Sequence, residues 1–198
     1  MNKNKKYDIF IFLILVYCIV LYIKPITKEI KKYRFKTGDI VLTNTFDILY
    51  LKLLTKYTHA SLIICIFDKV YILDAYPDKD IRLITLDEFM KTCDTIYILS
   101  LKNRFSKEIE YKLFKNIKYY LNFKYPKSHF IYLIKNYIKS YLYNNNEKIP
   151  TNITCSEFIY YIFENIGFLK DTYYLKTPDD ILKLNTHRFL GYYNKYDD

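Results

Sequence analysis

A thiol and an imidazole are the two side chains in this sequence best suited to covalent acyl chemistry. Cys155 follows Thr154 at the start of the run CSEFIYYIFENIG. If that run is a helix, free backbone N–H groups and the positive end of its dipole gather at Cys155 and stabilise a thiolate. The same N–H groups can donate to the oxyanion of a tetrahedral intermediate. A buried cysteine that only fills a capping turn fits the position equally well. A nucleophilic thiolate also needs a base within hydrogen-bond reach, usually oriented by a third polar group. The chain offers three histidines: His59 opens an apolar strand pattern, His129 begins an aromatic stretch, and His187 lies in the C-terminal tail. His59 has no evident packing purpose, yet a lone histidine at a strand mouth also serves structural roles.

The surrounding pattern says what must hold these groups. Thr154 to Gly167 carries a Thr-x-x-Glu capping box (Thr154, Glu157), an apolar face (Phe158, Ile159, Ile162, Phe163, Ile166) and a terminal glycine, which together predict a helix. Residues 59–67 and 70–76 are apolar, β-branched runs around a short polar turn, predicting an antiparallel hairpin centred on Asp68 and Lys69. Further strands are expected at 37–44, 81–84 and 95–101, with a short helix at 86–91 and an amphipathic helix at 106–121 capped by Ser106. Residues 46–54 and the aromatic stretch 129–143 also have helical spacing. The latter reads either as a core helix or as a cover dipping into a membrane interface. The fold class that follows is α+β, an antiparallel sheet flanked by helices in one domain.

Charge is unevenly placed. The formal net charge is +10, and residues 1–36 hold nine Lys/Arg against Asp8 and Glu29. The rest of the chain is close to balanced, which argues against a nucleic-acid-binding stripe and for anionic headgroups as partner. The four cysteines (Cys18, Cys65, Cys93, Cys155) have no CxxC spacing, so neither a metal site nor a disulfide framework is indicated and no cofactor is expected.

From Ile9 to Ile23 the sequence is uncharged for 15 residues, at the short edge of the roughly 17 to 25 that cross a bilayer. Lysines at both ends can snorkel to extend it. The run ends in Tyr22, Ile23, Lys24 and Pro25, a poor cleavage site, so an uncleaved single-pass anchor over 1–36 is expected ahead of a catalytic domain over 37–198. The more basic C-terminal flank places that domain in the cytosol.

The segments GDIVLTN, YTHASLII, YILDAYP, NITCSEFIYYIFENIGF and LKTPDDIL occur in an order that resembles the circularly permuted NlpC/P60 papain-like proteins, the YiiX-like group and its poxvirus relatives. The resemblance covers nearly all of residues 37–183 and makes a large DNA virus one candidate source. It implies Cys155 as nucleophile, His59 as base and Asp74 as the group orienting the imidazole, although Glu or His is more usual at that position. Counting from a turn at Asp68 and Lys69 brings Asp78 nearer to His59, so Asp78 is the alternative third residue. The implied activity is thiol hydrolysis or acyl transfer through an acyl-enzyme, on membrane lipid esters, thioesters, N-acyl amides or other acylated substrates. The rival expectations are a cysteine peptidase or deconjugase, and an inactive membrane-tethered binding module.

Overall fold

Among the described residues, apolar, β-branched segments separated by turn residues build six strands: β1 (Ile40–Thr43), β2 (His59–Ile66), β3 (Lys69–Tyr76), β4 (Asp80–Thr85), β5 (Thr95–Leu101) and β6 (His187–Asn194). They form one antiparallel sheet in the order β4-β3-β2-β1-β5-β6. Among the described residues four helices accompany it: α1 (Leu86–Phe89), α2 (Lys107–Tyr120), α3 (Cys155–Asn165) and α4 (Pro178–Ile181). The structure is a computed structural model and describes residues 33–44, 55–77, 79–126, 153–169 and 177–194.

Because side chains alternate across a strand, each sheet face has its own core. Ile40, Leu42, Ala60, Leu62, Ile64, Leu73 and Ala75 meet Phe158, Ile159, Ile162 and Phe163 of α3 and Leu113 and Tyr120 of α2. On the opposite face Val41, Ile63, Ile72, Ile96 and Ile98 meet Phe89 and Met90. The central strands β1 and β2 are therefore covered on both sides, which their near-continuous apolar sequence requires. Helix α3 starts as its capping box directs: the Glu157 carboxylate accepts from the Thr154 N–H at 3.0 Å and its hydroxyl at 2.7 Å.

The β2–β3 turn is centred one residue earlier than the sequence pattern indicates. Ile66 pairs with Lys69, and the two turn residues are Phe67 (φ 46°) and Asp68 (φ 62°). Two positive φ values define the two-residue turn whose twist suits a hairpin, and a Phe there hides the turn from a reading based on Gly, Asn and Asp. The shift moves each cross-strand partner by two residues, and Asp74 comes to His59. Asp78 itself lies outside the described residues, as do His129, Cys18, the anchor run 9–23 and the helix-like segments 46–54 and 129–143. Among the described residues no helix is long and apolar enough to cross a membrane.

His187 is not in an irregular tail but opens β6, which pairs with β5. The register slips between Ile98 and Leu99, facing Gly191 and Phe189, and leaves Leu190 as the extra residue of a bulge. That bulge breaks the two-residue alternation by which a strand is recognised.

Candidate active site

Three strands and a helix start converge on one imidazole. His59 is the first residue of β2, Asp74 lies on β3, Arg82 on β4, and Cys155 is the first residue of α3. All but Arg82 are essentially buried, Cys155 being 3% exposed. His59 Nε2 lies 2.6 Å from Asp74 Oδ1. The Ser61 hydroxyl, on the same face of β2 as His59, donates to that same oxygen at 2.7 Å. Asp74 Oδ2 accepts from Arg82 Nε at 3.0 Å and Nη2 at 2.8 Å. The Cys155 side chain lies near enough to interact electrostatically with the same imidazole.

Electrostatics follow from this arrangement. Complete burial opposes charge on His59, but the Asp74 carboxylate and then Cys155 outweigh it and raise the imidazole to about 10. Burial likewise pushes Asp74 upward, and His59, Ser61 and Arg82 more than offset it, holding the carboxyl at about 2. Opposite charges at contact distance in a dry site favour both charged forms. The outcome is an imidazolium at neutral pH, clamped by a carboxylate that stays ionised down to strongly acidic pH. Burial raises the Cys65 and Cys93 thiols, Cys93 to about 11.

Aromatic rings fix the imidazole plane. Phe89 stacks on His59 at 6.4 Å between centroids, and Tyr76 presents its edge at 5.9 Å. The Arg82 guanidinium lies over the Tyr76 ring, 4.6 Å from its centroid, so one arginine orders both Asp74 and Tyr76. Sequence reasoning missed Ser61 and Arg82. Ser61 was within reach of a period-two argument from His59. Arg82 needed the β3–β4 register, in which it pairs directly with Asp74.

Other segments of the sequence pattern support the site from a distance. The Asp179 carboxylate accepts from the backbone N–H of Lys56 at 2.6 Å and Tyr57 at 3.0 Å. The TPDD segment thereby clamps the approach to the strand that carries His59. Asp39, fully buried, accepts from the N–H of Leu101 and Lys36 and from the Tyr33 hydroxyl, pinning β1 to β5. His187 is structural: its Nε2 meets the Gly38 carbonyl at 2.8 Å, Nδ1 meets the Thr186 hydroxyl at 2.9 Å, and its ring stacks on Phe163.

In fold the chain is similar to a solved structure described as the metalloprotein yiiX from Escherichia coli O157:H7, with a TM-score of 0.50 and 17% identity over 68% of this chain and 67% of the other. The site does not fit a metal: both Asp74 oxygens are committed to His59, Ser61 and Arg82. Among the described residues no three of His, Cys, Asp and Glu gather as a metal-binding group. No curated protein matches the sequence. The model of the family described as permuted papain-like amidase enzymes, YaeF/YiiX, C92, matches residues 34–181, and the chain belongs to that family.

Proposed function

We propose that this chain is a membrane-tethered thiol amidase or acyl hydrolase with Cys155 as nucleophile, His59 as acid and base, and Asp74 as the residue that orients His59. The observation that carries the reading is the shared imidazole: Asp74 holds one ring nitrogen, and Cys155 interacts electrostatically with the same ring. In the first half-reaction the Cys155 sulfur attacks the substrate carbonyl carbon and forms a C–S bond. Backbone N–H groups in the first turn of α3 face the developing oxyanion. The tetrahedral intermediate collapses by breaking the bond to the leaving nitrogen, oxygen or sulfur, which takes a proton from imidazolium Nδ1. In the second half-reaction neutral His59 accepts a proton from water as it attacks the thioester, releasing the acid and restoring the thiolate–imidazolium pair. Asp74 stays ionised throughout and stabilises the imidazolium.

The family's description as amidases favours an amide leaving group. The uncharged run 9–23 and the basic residues after it favour a substrate at the cytosolic membrane surface, a lipid or an acylated protein, met at high effective concentration through the tether. The test is acyl-enzyme trapping. The full chain in detergent is mixed with a fatty-acyl nitrophenyl ester, quenched in acid, digested and analysed by mass spectrometry. The acyl mass is expected on the Cys155 peptide and lost with His59→Ala. Equal labelling of Cys65 and Cys93, or labelling of Cys155 indifferent to His59, would leave a tethered binding module instead.

A further inference from the structure

The end of the domain opposite the thiol has its own chemistry. Phe67, at the tip of the β2–β3 hairpin, is 96% exposed and holds φ 46°. A single exposed apolar residue on a protein surface is ordinary. A bulky aromatic in the left-handed region is not, and a two-residue turn asks there for Asn, Asp or Gly. Phe67 thus accepts backbone strain and gives up burial in the folded domain.

Its surroundings point to what it meets. Phe67 borders an open cavity of about 510 Å³ lined also by Tyr33, Arg34, Lys36, Arg104 and Glu110. Lys69 follows at the start of β3. The cations outnumber Asp68 and Glu110 here, and Lys24, Lys28, Lys31 and Lys32 lie just upstream in the chain. The point where that segment joins the domain is fixed. The Tyr33 hydroxyl bonds to Asp39 at 2.8 Å and Ser100 at 2.7 Å, and Phe35 packs its ring against Tyr33 and Tyr193. Thr37 in turn bonds to the Cys65 backbone near the hairpin tip. Only nine residues separate Ile23, the end of the apolar run, from Tyr33, a reach of at most about 35 Å.

We infer that this end of the domain, with Phe67 at its tip and Arg34, Lys36, Lys69 and Arg104 around it, seats on an anionic lipid bilayer with the Phe67 ring inserted among the headgroups. The inference rests on the membrane-tethered reading for its continuity with the apolar run, and on the hairpin geometry for the rest. It also orients the site. His59 lies eight residues from Phe67 along β2, about 25 Å at 3.3 Å per residue, whereas a headgroup layer is only about 5–8 Å deep. The thiol therefore works on a bond that stands clear of the bilayer, such as an acyl link on a protein or an extended headgroup.

The chain contains no tryptophan, so Phe67→Trp supplies a single tryptophan in the full-length protein, excited selectively beyond the tyrosine absorption band. The variant is reconstituted into vesicles of phosphatidylcholine and phosphatidylserine, with and without brominated phosphatidylcholine, beside Leu182→Trp, whose position follows α4 at the active-site end. The expected result for Phe67→Trp is emission shifted to shorter wavelength and quenched by brominated lipid, the shift shrinking when phosphatidylserine is omitted. Leu182→Trp should keep its aqueous emission. Unshifted, unquenched emission from Phe67→Trp overturns the inference, including the case in which that surface meets a protein. Quenching of Leu182→Trp equal to that of Phe67→Trp overturns the orientation. Vesicle flotation reads the tether separately: a chain that fails to float defeats anchoring by 9–23, while Phe67→Trp with added vesicles still decides the hairpin. Neither result depends on Cys155 chemistry.

Discussion

Asp74 stands diagonally across the hairpin from His59, not opposite it. Extending the pairing of Leu62 with Leu73 by three residues puts Tyr76 directly across from His59. Asp74, two residues before it on the same face, reaches Nε2 at 2.6 Å. Diagonal neighbours lie roughly 7–8 Å apart in the backbone, a gap that an imidazole and a short carboxylate together span. The directly opposite position is thereby left to Tyr76, whose ring packs against the imidazole and under Arg82.

Asp74→Asn keeps this shape and removes the charge that keeps His59 protonated. Burial then acts with less opposition, and the imidazole, at about 10 in the intact site, should titrate much closer to its ordinary value of 6.5. Carbon-13 chemical shifts of labelled histidine followed against pH would show it. Turnover should fall by on the order of 10³-fold or more, the scale found when the orienting carboxylate of a triad becomes an amide. An unchanged His59 titration would mean that Asp74 does not control the ring.

The same pair sets a stability window. The His59 contribution is complete below its unfolded pKa near 6.5 and is lost as pH rises through about 10. The Asp74 contribution is complete above its unfolded pKa of 3.8 and is lost as pH falls through about 2. Urea midpoints should therefore be highest between these limits and decline above neutrality, and His59→Gln should flatten the alkaline decline. An alkaline slope unaltered by His59→Gln would assign the loss to other groups.

Arg82 is a positioning residue for Asp74. Hydrogen bonds to a charged group contribute about 1.5–3 kcal/mol, so Arg82→Gln should lower kcat about tenfold or more with little change in KM. It should also move the acidic limb of the pH–rate profile upward, because Asp74 protonates more readily without the guanidinium. Arg82→Lys should restore only part, since an ammonium cannot supply two bonds from one planar group. A purely structural role would lower the folded fraction and leave the acidic limb in place.

The cysteine helix was fully legible, because its cap, apolar face and terminal glycine are local signals that agree: Gly167 has φ +76° and closes α3 as expected. The sheet was legible in its strands but not in its joints. Phe67 concealed the turn that sets the register bringing Asp74 to His59, and the bulge at Leu190 concealed β6 and made His187 look like a tail residue. Arg82 and Asp179 are invisible to spacing alone, since each reaches the site through strand register or a contact between distant segments. The Gly38-Asp39 pair was legible as a motif, but its structural purpose appears only with the sheet assembled.

Gly38 illustrates that purpose and can be tested. It holds φ +95°, and a Cβ there would lie 2.7 Å from two Phe105 ring atoms and 3.0 Å from a Leu101 methyl. Gly38→Ala combines left-handed backbone strain with overpacking and should cost about 2–5 kcal/mol. Chemical denaturation would measure the loss, while acylation of Cys155 per folded molecule should be nearly unaffected because Gly38 is remote from the imidazole. Loss of acylation without loss of stability would relocate Gly38 to the site.

Phe67 makes the opposite prediction, that a substitution at an exposed tip stabilises the domain. Its left-handed backbone costs a side chain such as Phe about 1–2 kcal/mol, and at 96% exposure the ring recovers almost nothing by burial. Asn tolerates that conformation and suits this turn, so Phe67→Asn should add about 1 kcal/mol, which raises Tm by roughly 2–4 °C in a protein of this size. Differential scanning calorimetry in detergent, away from any bilayer, isolates the effect from lipid contacts. A lower Tm would reveal that the ring makes folded contacts after all. A higher Tm would show that the folded domain gives up stability at the tip.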